Sequence, residues 1–268
     1  MIKPFLVAFT ATAATLLLVD TASAQSANTD PSGLRGDIVT GIAVIPEYEG
    51  ADHYTLIPLA NGRVSLDKRY IEIEGVTARI NVLNSDVIEL GPVANLTFGR
   101  DRKIDSAAVA RLGVIDDAFE VGGFAALNLP VGESGKVRLA VQAVQDVSSV
   151  HKGWLGQASA GYVLQASPRL SLSASASATY ASGEYARTYY SVSAAGSAAS
   201  GLPRFDADAG LKDIGVTLGA RYQVSERWSV NATGGYKRLL GDFADSPVVS
   251  QQGDANQWFA GVGIGFSF

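Results

Sequence analysis

The chain has 268 residues, with 21 Lys and Arg against 26 Asp and Glu, for a formal net charge of −5. It contains no Cys, two His and 29 Gly, and only 18% of its residues are charged, below the ~25% of an ordinary soluble domain. A disulfide framework, a thiolate metal site and a Cys nucleophile are excluded. Two His leave no room for a His-rich cluster, and the slightly acidic balance lacks the basic stripe that nucleic-acid binding requires.

The N-terminus reads as an export signal. Lys3 supplies the positive start, Phe5 to Val19 is almost uncharged and apolar, and Ala22-Ser23-Ala24 is a small-x-small cleavage site before Gln25. The expected division is a signal peptide over 1–24, a short segment over 25–35 and one domain over 36–268. No later apolar run is long enough for a spanning helix.

Beyond residue 35 one period dominates. Eleven strands are expected, near 36–46, 54–66, 69–83, 87–98, 117–129, 135–146, 153–165, 169–181, 211–224, 227–239 and 257–268. The eighth run shows the rule: Leu170, Leu172, Ala174, Ala176, Ala178 and Tyr180 alternate with Ser171, Ser173, Ser175, Ser177 and Thr179. A period of two over eleven residues is a strand with one apolar and one polar face. Each run has about the length a tilted strand needs to cross a bilayer.

The polar face decides between a soluble sandwich and a barrel. It is built from Ser, Thr, Gly, Gln and Asn, too poor in charge for a water-facing surface but suited to a crowded lumen. Aromatic residues gather near strand ends, at Trp154, Tyr162, Tyr180, Tyr222, Trp228, Tyr236, Trp258 and Phe268, as interfacial girdles do. The fold class expected is therefore all-β, a closed antiparallel transmembrane barrel in contact with outer-membrane lipid. Bacterial barrels have an even strand number. The run 69–83 changes phase at Gly75, from Ile71 and Ile73 to Val76, Ala78, Ile80 and Val82, so Gly75 marks either a bulge or a break into two strands. Twelve strands are expected, with ten as the alternative.

Connections alternate in length. Pro130–Ser134, Ala166–Arg169 and Val224–Arg227 are short and expected on the periplasmic side. Gly99–Asp116, Ser182–Gly210 and Gly241–Asn256 are long and expected outside, with 182–210 functional or folded into the mouth. Glu89, Glu120, Arg138, Arg221 and Lys237 fall on the lumen face, where mixed signs favour a paired network over an open pore. The last strand ends Gly263, Phe266, Phe268 and resembles the C-terminal signal of bacterial outer-membrane barrels, which implies handling by the barrel-assembly machinery. Gly261 departs from that pattern, because a polar residue is common there.

Candidate chemistry is sparse. His53 follows Glu47, Glu49 and Asp52, an acidic turn read as solvated. His151 lies near Ser148 and Ser149 without a distinctive spacing, and a hydrolase would need one of the two His. Asp206-Ala207-Asp208-Ala209-Gly210 has two of the oxygen ligands of a calcium loop and lacks its bidentate Glu; Asp242 and Asp245 are the residues that would complete a divalent site across the mouth. Gly261-x-Gly263-x-Gly265 lies within a strand, not between a strand and a helix as a phosphate loop does. Asn95 and Asn231 begin Asn-x-Thr triplets in mid-strand, where no sugar is expected. No catalytic residue, metal or cofactor is assigned.

Several segments carry a family resemblance: Pro46-Glu47-Tyr48-Glu49-Gly50; Leu90-Gly91-Pro92; Phe98-Gly99-Arg100-Asp101; Ser200-Gly201-Leu202-Pro203-Arg204-Phe205-Asp206-Ala207-Asp208-Ala209-Gly210-Leu211-Lys212-Asp213; and Arg238-Leu239-Leu240-Gly241-Asp242 with Ala244-Asp245-Ser246-Pro247-Val248-Val249. In this order they resemble the MipA/OmpV outer-membrane proteins (MltA-interacting protein and outer-membrane protein V). The resemblance implies an outer-membrane barrel without catalytic residues. For some members it implies a scaffold joining a lytic transglycosylase to a peptidoglycan synthase; a narrow channel for small solutes is the alternative function, and an outer-membrane hydrolase a third.

Overall fold

The computed structural model describes residues 33–268. The signal-peptide reading of 1–24, and most of the 25–35 segment, lie outside the described residues. Twelve antiparallel strands close into one barrel, each paired with its neighbours in sequence and the first with the last. They are β1 (Leu34–Pro46), β2 (Tyr54–Leu66), β3 (Arg69–Glu74), β4 (Thr77–Asn81), β5 (Ile88–Thr97), β6 (Ala118–Val131), β7 (Gly135–Asp146), β8 (Trp154–Ser167), β9 (Leu170–Ala181), β10 (Gly210–Gln223), β11 (Trp228–Leu239) and β12 (Asn256–Ser267).

The run 69–83 resolves into the hairpin β3–β4. Gly75 sits at its tip with φ +56, a left-handed backbone that glycine adopts without penalty. Its amide is held by the Asn61 side chain at 2.8 Å. The phase change at Gly75 is thus a reversal of chain direction, and it makes the strand number even.

Closure follows from pairing β1 with β12, from Asp37 opposite Ser267 to Val44 opposite Ala260. At this seam Gly41 faces Gly263, Ala43 faces Gly261 and Val39 faces Gly265. The evenly spaced glycines of β12 are therefore lumen-facing residues of a strand. A Cβ on Gly41 would lie 2.0 Å from the Val262 carbonyl oxygen, so the seam closes only because that side chain is absent.

Side-chain orientation follows the period of two. Ile42, Ile71, Val141, Leu218 and Ile264 point outward and are exposed, whereas Asn61, Glu89, Glu120, Ser171, Arg221 and Asn231 point inward and are buried. Soluble proteins rarely turn so continuous an apolar belt to water; it is a lipid-facing surface. Two aromatic rows bound it. The outer row includes Tyr54, the stacked pair Trp154–Tyr180 (5.4 Å) and the pair Tyr236–Trp258 (4.6 Å). The other includes Tyr222, Phe268 and the pair Trp228–Phe266 (4.9 Å).

The long connections fold back over the outer mouth as short, capped helices: α1 (Ala107–Ala110), α2 (Gly183–Tyr190), α3 (Ala194–Ser200), α4 (Asp242–Asp245) and α5 (Pro247–Ser250). Ser106, Ser182, Ser193 and Ser246 accept first-turn amides of α1, α2, α3 and α5, which satisfies donors that such short helices would otherwise waste.

An arginine on the lipid face at mid-wall should cost about 2–4 kcal/mol. Leu218→Arg is therefore expected to lower the urea midpoint of the vesicle-inserted barrel clearly, while Thr217→Ser, on the lumen side of the same strand, leaves it nearly unchanged.

Candidate functional site

The site sits in the mouth and is organised by one carboxylate. Glu49 lies in the turn after β1, and its side chain is turned into the barrel and buried. Its Oε1 accepts from Lys212 Nζ at 2.6 Å and from Lys237 Nζ. Its Oε2 accepts from the phenols of Tyr190 at 2.7 Å and Tyr185 at 3.2 Å. Lys212 also pairs with Asp213 at 3.0 Å. Two ammonium groups thus meet two carboxylates, and the buried cluster is formally neutral.

A sequence irregularity makes this possible. The β9–β10 register shifts between Leu211 and Asp213. The extra residue of this bulge lets Lys212 and Asp213, consecutive in sequence, both be buried. Strict alternation would turn one of them toward lipid.

Burial by itself would raise the Glu49 pKa, but the Lys212 and Lys237 charges outweigh it and hold the carboxyl well below the usual range. Tyr185 and Tyr190 are pushed well above the ordinary phenol value, by burial first and by the Glu49 charge next. Both phenols therefore remain hydrogen-bond donors to Glu49 throughout the physiological range.

The rest of the first motif supports that carboxylate. Gly50 has φ +96, and a Cβ there would meet Val249 Cγ2 at 2.4 Å. Its amide donates to Gln257 Oε1 at 3.0 Å, and its carbonyl accepts from the Asp254 amide at 3.0 Å. Tyr48 packs with Val109, Val192, Leu202 and Val248, and burial pushes its phenol up to about 12. Pro46 ends β1, and the Glu47 amide closes the turn on the His53 carbonyl at 3.0 Å.

The other motif residues converge on the same plug. Arg100 is buried and reaches the Tyr189 carbonyl at 3.4 Å, with its pKa lowered by burial; Asp101 caps the next amide. Gly201 ends α3 in the left-handed region, Leu202 is buried, and Pro203 is exposed. Gly210 opens β10 and Gly241 precedes α4 with φ +50. Pro247 starts α5, and Ser246 Oγ donates to the Tyr190 carbonyl at 2.6 Å. Phe243 stands edge-on to Tyr190 at 5.0 Å.

The divalent-site reading fails on geometry. The Asp208 amide donates to Asp242 Oδ2 at 2.8 Å, so that carboxylate ties two loops together. Among the described residues, no three His, Asp or Glu converge as metal ligands, and Asp206, Asp208, Asp242 and Asp245 are included in that statement.

The two His part company. His53 is exposed beside Asp52 at 2.8 Å, and that hydrogen bond raises its pKa. His151, expected to be an unremarkable residue of a solvated turn, is buried. Its Nδ1 accepts from the Gly153 amide at 3.0 Å, so Nε2 carries the proton and donates to Glu120 at 2.9 Å. The ring lies against Tyr185 at 5.1 Å and Tyr189 at 5.8 Å. Ser148 Oγ donates to Asp146 instead, so both ring nitrogens are engaged and neither holds a nucleophile.

Below the plug, the lumen charges pair across the wall. Arg138 meets Glu89 at 2.7 Å, and Glu89 also accepts from Tyr70 and Asn128. Arg79 bridges Glu74 at 2.9 Å and Glu72 at 3.6 Å. Arg221 pairs with Asp37.

Glu49→Gln should remove the carboxylate charge that Lys212 and Lys237 share, a defect costing about 3–5 kcal/mol when a buried pair is broken. Faster amide exchange is expected in α2, α4 and α5, with the strands still protected. Because the folded pKa of Glu49 is depressed, its stabilisation is complete at neutral pH. That stabilisation is lost only as pH falls below roughly 4 toward the folded value; loosening of the plug on moving from pH 8 to pH 6 would contradict this assignment.

Comparison with known proteins agrees with the geometry. The family described as MltA-interacting protein MipA matches residues 38–268. The outer membrane protein YiaT of Escherichia coli (strain K12) is 31% identical over 128 residues, 47% of this chain and 49% of that protein. Outer membrane protein OmpV of Vibrio cholerae is 36% identical over 58 residues, 21% of each chain. The matched region thus spans about half or less of the length of these curated relatives. Among solved structures, an outer membrane channel from Pseudomonas putida F1 has a TM-score of 0.49 at 15% identity, covering 90% of this chain and 97% of that one. The NanC porin has a TM-score of 0.45 at 7% identity, covering 86% and 98%. The chain is an outer-membrane β-barrel and belongs to the MipA family.

Proposed function

We propose that this barrel is an interaction protein and not an aqueous channel: a membrane-fixed scaffold for cell-wall enzymes, of the kind the family description, MltA-interacting protein, suggests. The observation that carries this reading is the occupied mouth. Glu49, Lys212, Lys237, Tyr185 and Tyr190 lock α2 to three parts of the wall, and α4 and α5 pack on the same core. Opening a water path would require breaking a buried, neutral ion cluster. A protein selected for solute flux gains nothing from such a lock, whereas a rigid platform does.

On this reading the partners are a lytic transglycosylase and a peptidoglycan synthase, and they meet the periplasmic rim. That rim is short and polar, with the turn at Asp67 and Lys68 pinned by the Lys68–Asp86 ion pair. The export signal over 1–24 and recognition of Gly263, Phe266 and Phe268 by the assembly machinery belong to the same proposal, since both are required to deliver such a platform. Non-enzymatic action is consistent with the two engaged nitrogens of His151.

Planar-bilayer recording of the purified protein should give no stable conductance steps, and pull-down from detergent extract should recover a lytic transglycosylase. Regular conductance steps without any recovered cell-wall enzyme would reverse the assignment in favour of the channel.

A further inference from the structure

The hairpin β3–β4 leaves the barrel wall incomplete. Its upper ends, Glu74 and Thr77, pair with Asn61 of β2 and Asn95 of β5. β2 continues past that level from Ala60 to Tyr54, paired with β1 on one side and with no strand of the hairpin on the other. Other neighbouring strands, such as β8 with β9, stay paired almost to their outer ends. The result is a gap between β2 and β5. The hairpin tip at Gly75 forms its sill, where an added Cβ would meet nothing within 4 Å. The chain after β5 forms its lintel, since the Asp105 amide reaches Glu47 Oε2 at 3.2 Å across the top.

The main-chain groups facing this gap can be identified. Gly36 and Phe268 exchange both hydrogen bonds across the β1–β12 seam. Alternation then directs Asp37, Val39, Gly41, Ala43 and Ile45 toward β2, and their partners in β2 are the odd-numbered residues Arg63 to Thr55. The even-numbered Leu56, Pro58 and Ala60 therefore turn their main-chain groups to the gap. Pro58 has no N–H, which suits an edge that stays unpaired and handicaps any added β-strand.

The β2 edge of the opening is apolar, outside and in. Tyr54, in the outer aromatic row, marks its top, so Leu56 to Ala60 lie on the hydrocarbon side of that row. Outward, Leu56 is 60% exposed. Inward, β2 presents Thr55, Ile57 and Leu59, where β9 presents Ser173, Ser175 and Ser177. The β5 side is polar at this level, with Asn95 and Thr97 turned inward, and Val93, opposite Arg79 below the sill, joins Phe124 and Val144 in a buried lumen cluster. The apolar surface thus runs from the lipid face, past an unpaired edge, onto the inner wall beneath the plug.

We propose that this gap is a lateral port that admits the acyl chain of an outer-leaflet amphiphile and binds it against Ile57 and Leu59. The occupant needs no main-chain hydrogen bonds, which matches the missing donor at Pro58. Its head remains at the rim, because the charge just below the sill is already paired, Glu74 to Arg79.

The absence of Cys makes a clean test possible. Ile57→Cys, Ser175→Cys and Leu218→Cys are each labelled with a bimane fluorophore and placed in vesicles of phosphatidylcholine brominated on its acyl chains. The expected result is strong quenching for Ile57→Cys, at least half that of lipid-facing Leu218→Cys, and little for Ser175→Cys, which faces the lumen away from the gap. Quenching of Ile57→Cys as weak as that of Ser175→Cys overturns the proposal. Heat-modifiability on an unboiled gel verifies each barrel, and Leu59→Cys serves the same purpose if Ile57→Cys does not fold. Efficient disulfide-linked dimers through Ala60→Cys would show edge pairing with a second copy and would likewise overturn it.

Discussion

In a bilayer the peptide groups of the wall have no water to bond with, so each N–H and C=O must find its partner inside the protein or border a polar cavity. That constraint explains why the chain closes β1 on β12 instead of leaving two long edges. It also explains why the seam is lined by Gly41, Ala43, Gly261, Gly263 and Gly265: strands that curve this tightly must bring backbones close where bulky side chains would collide. The same constraint makes the gap beside β2 informative, since an unpaired edge at membrane depth is tolerable only if it is short, lacks donors where it can, and borders a lumen.

Closure then sets the problem of the interior. A twelve-stranded cylinder is wider than an eight-stranded one, which side chains alone fill, and narrower than the water-filled porins. Here the interior is filled by two means. Arginine–carboxylate pairs span the lumen below the plug, and the long loops fold helices into the mouth. Burying ions is costly unless each is paired and hydrogen-bonded. The Glu49 cluster meets that condition by neutrality and by two phenol donors. An isolated carboxylate at this position would have been protonated by burial; two lysines keep it ionised.

Much of this was legible in the sequence, because a period of two carries orientation as well as secondary structure. The apolar set Leu170, Leu172 and Ala174 identified the lipid face, and the lumen positions of Glu89, Glu120, Arg138, Arg221 and Lys237 followed from parity alone. The even-number rule singles out 69–83 as the doubtful run and leaves a bulge and a break into two strands both open. Local patterns could not show which charges would meet. Glu49 and Lys212 are 163 residues apart, and their meeting depends on the bulge at Lys212, which alternation does not announce. The burial of His151 is illegible for a similar reason: it comes from Tyr185 and Tyr189 on a loop helix that covers it, and nothing near residue 151 signals that cover. The motif Pro46-Glu47-Tyr48-Glu49-Gly50 is recognisable as a unit, yet its purpose lies in the distant contact of Gly50 with Val249.

The division of the motifs follows from this physics. Residues that repeat along strands are interchangeable within their class, because lipid and lumen each demand only a polarity and a size. Residues in the mouth are not interchangeable, since every one answers a particular partner: Gly50 the Val249 methyl, Ser246 the Tyr190 carbonyl, Lys212 both Glu49 and Asp213. The individuality of the sequence is therefore concentrated in the plug and in the short hairpin, the two places where a generic barrel is altered. One alteration shuts the route along the barrel axis, and the other thins the wall at its side. Together they direct access to the lumen away from external water and toward the membrane.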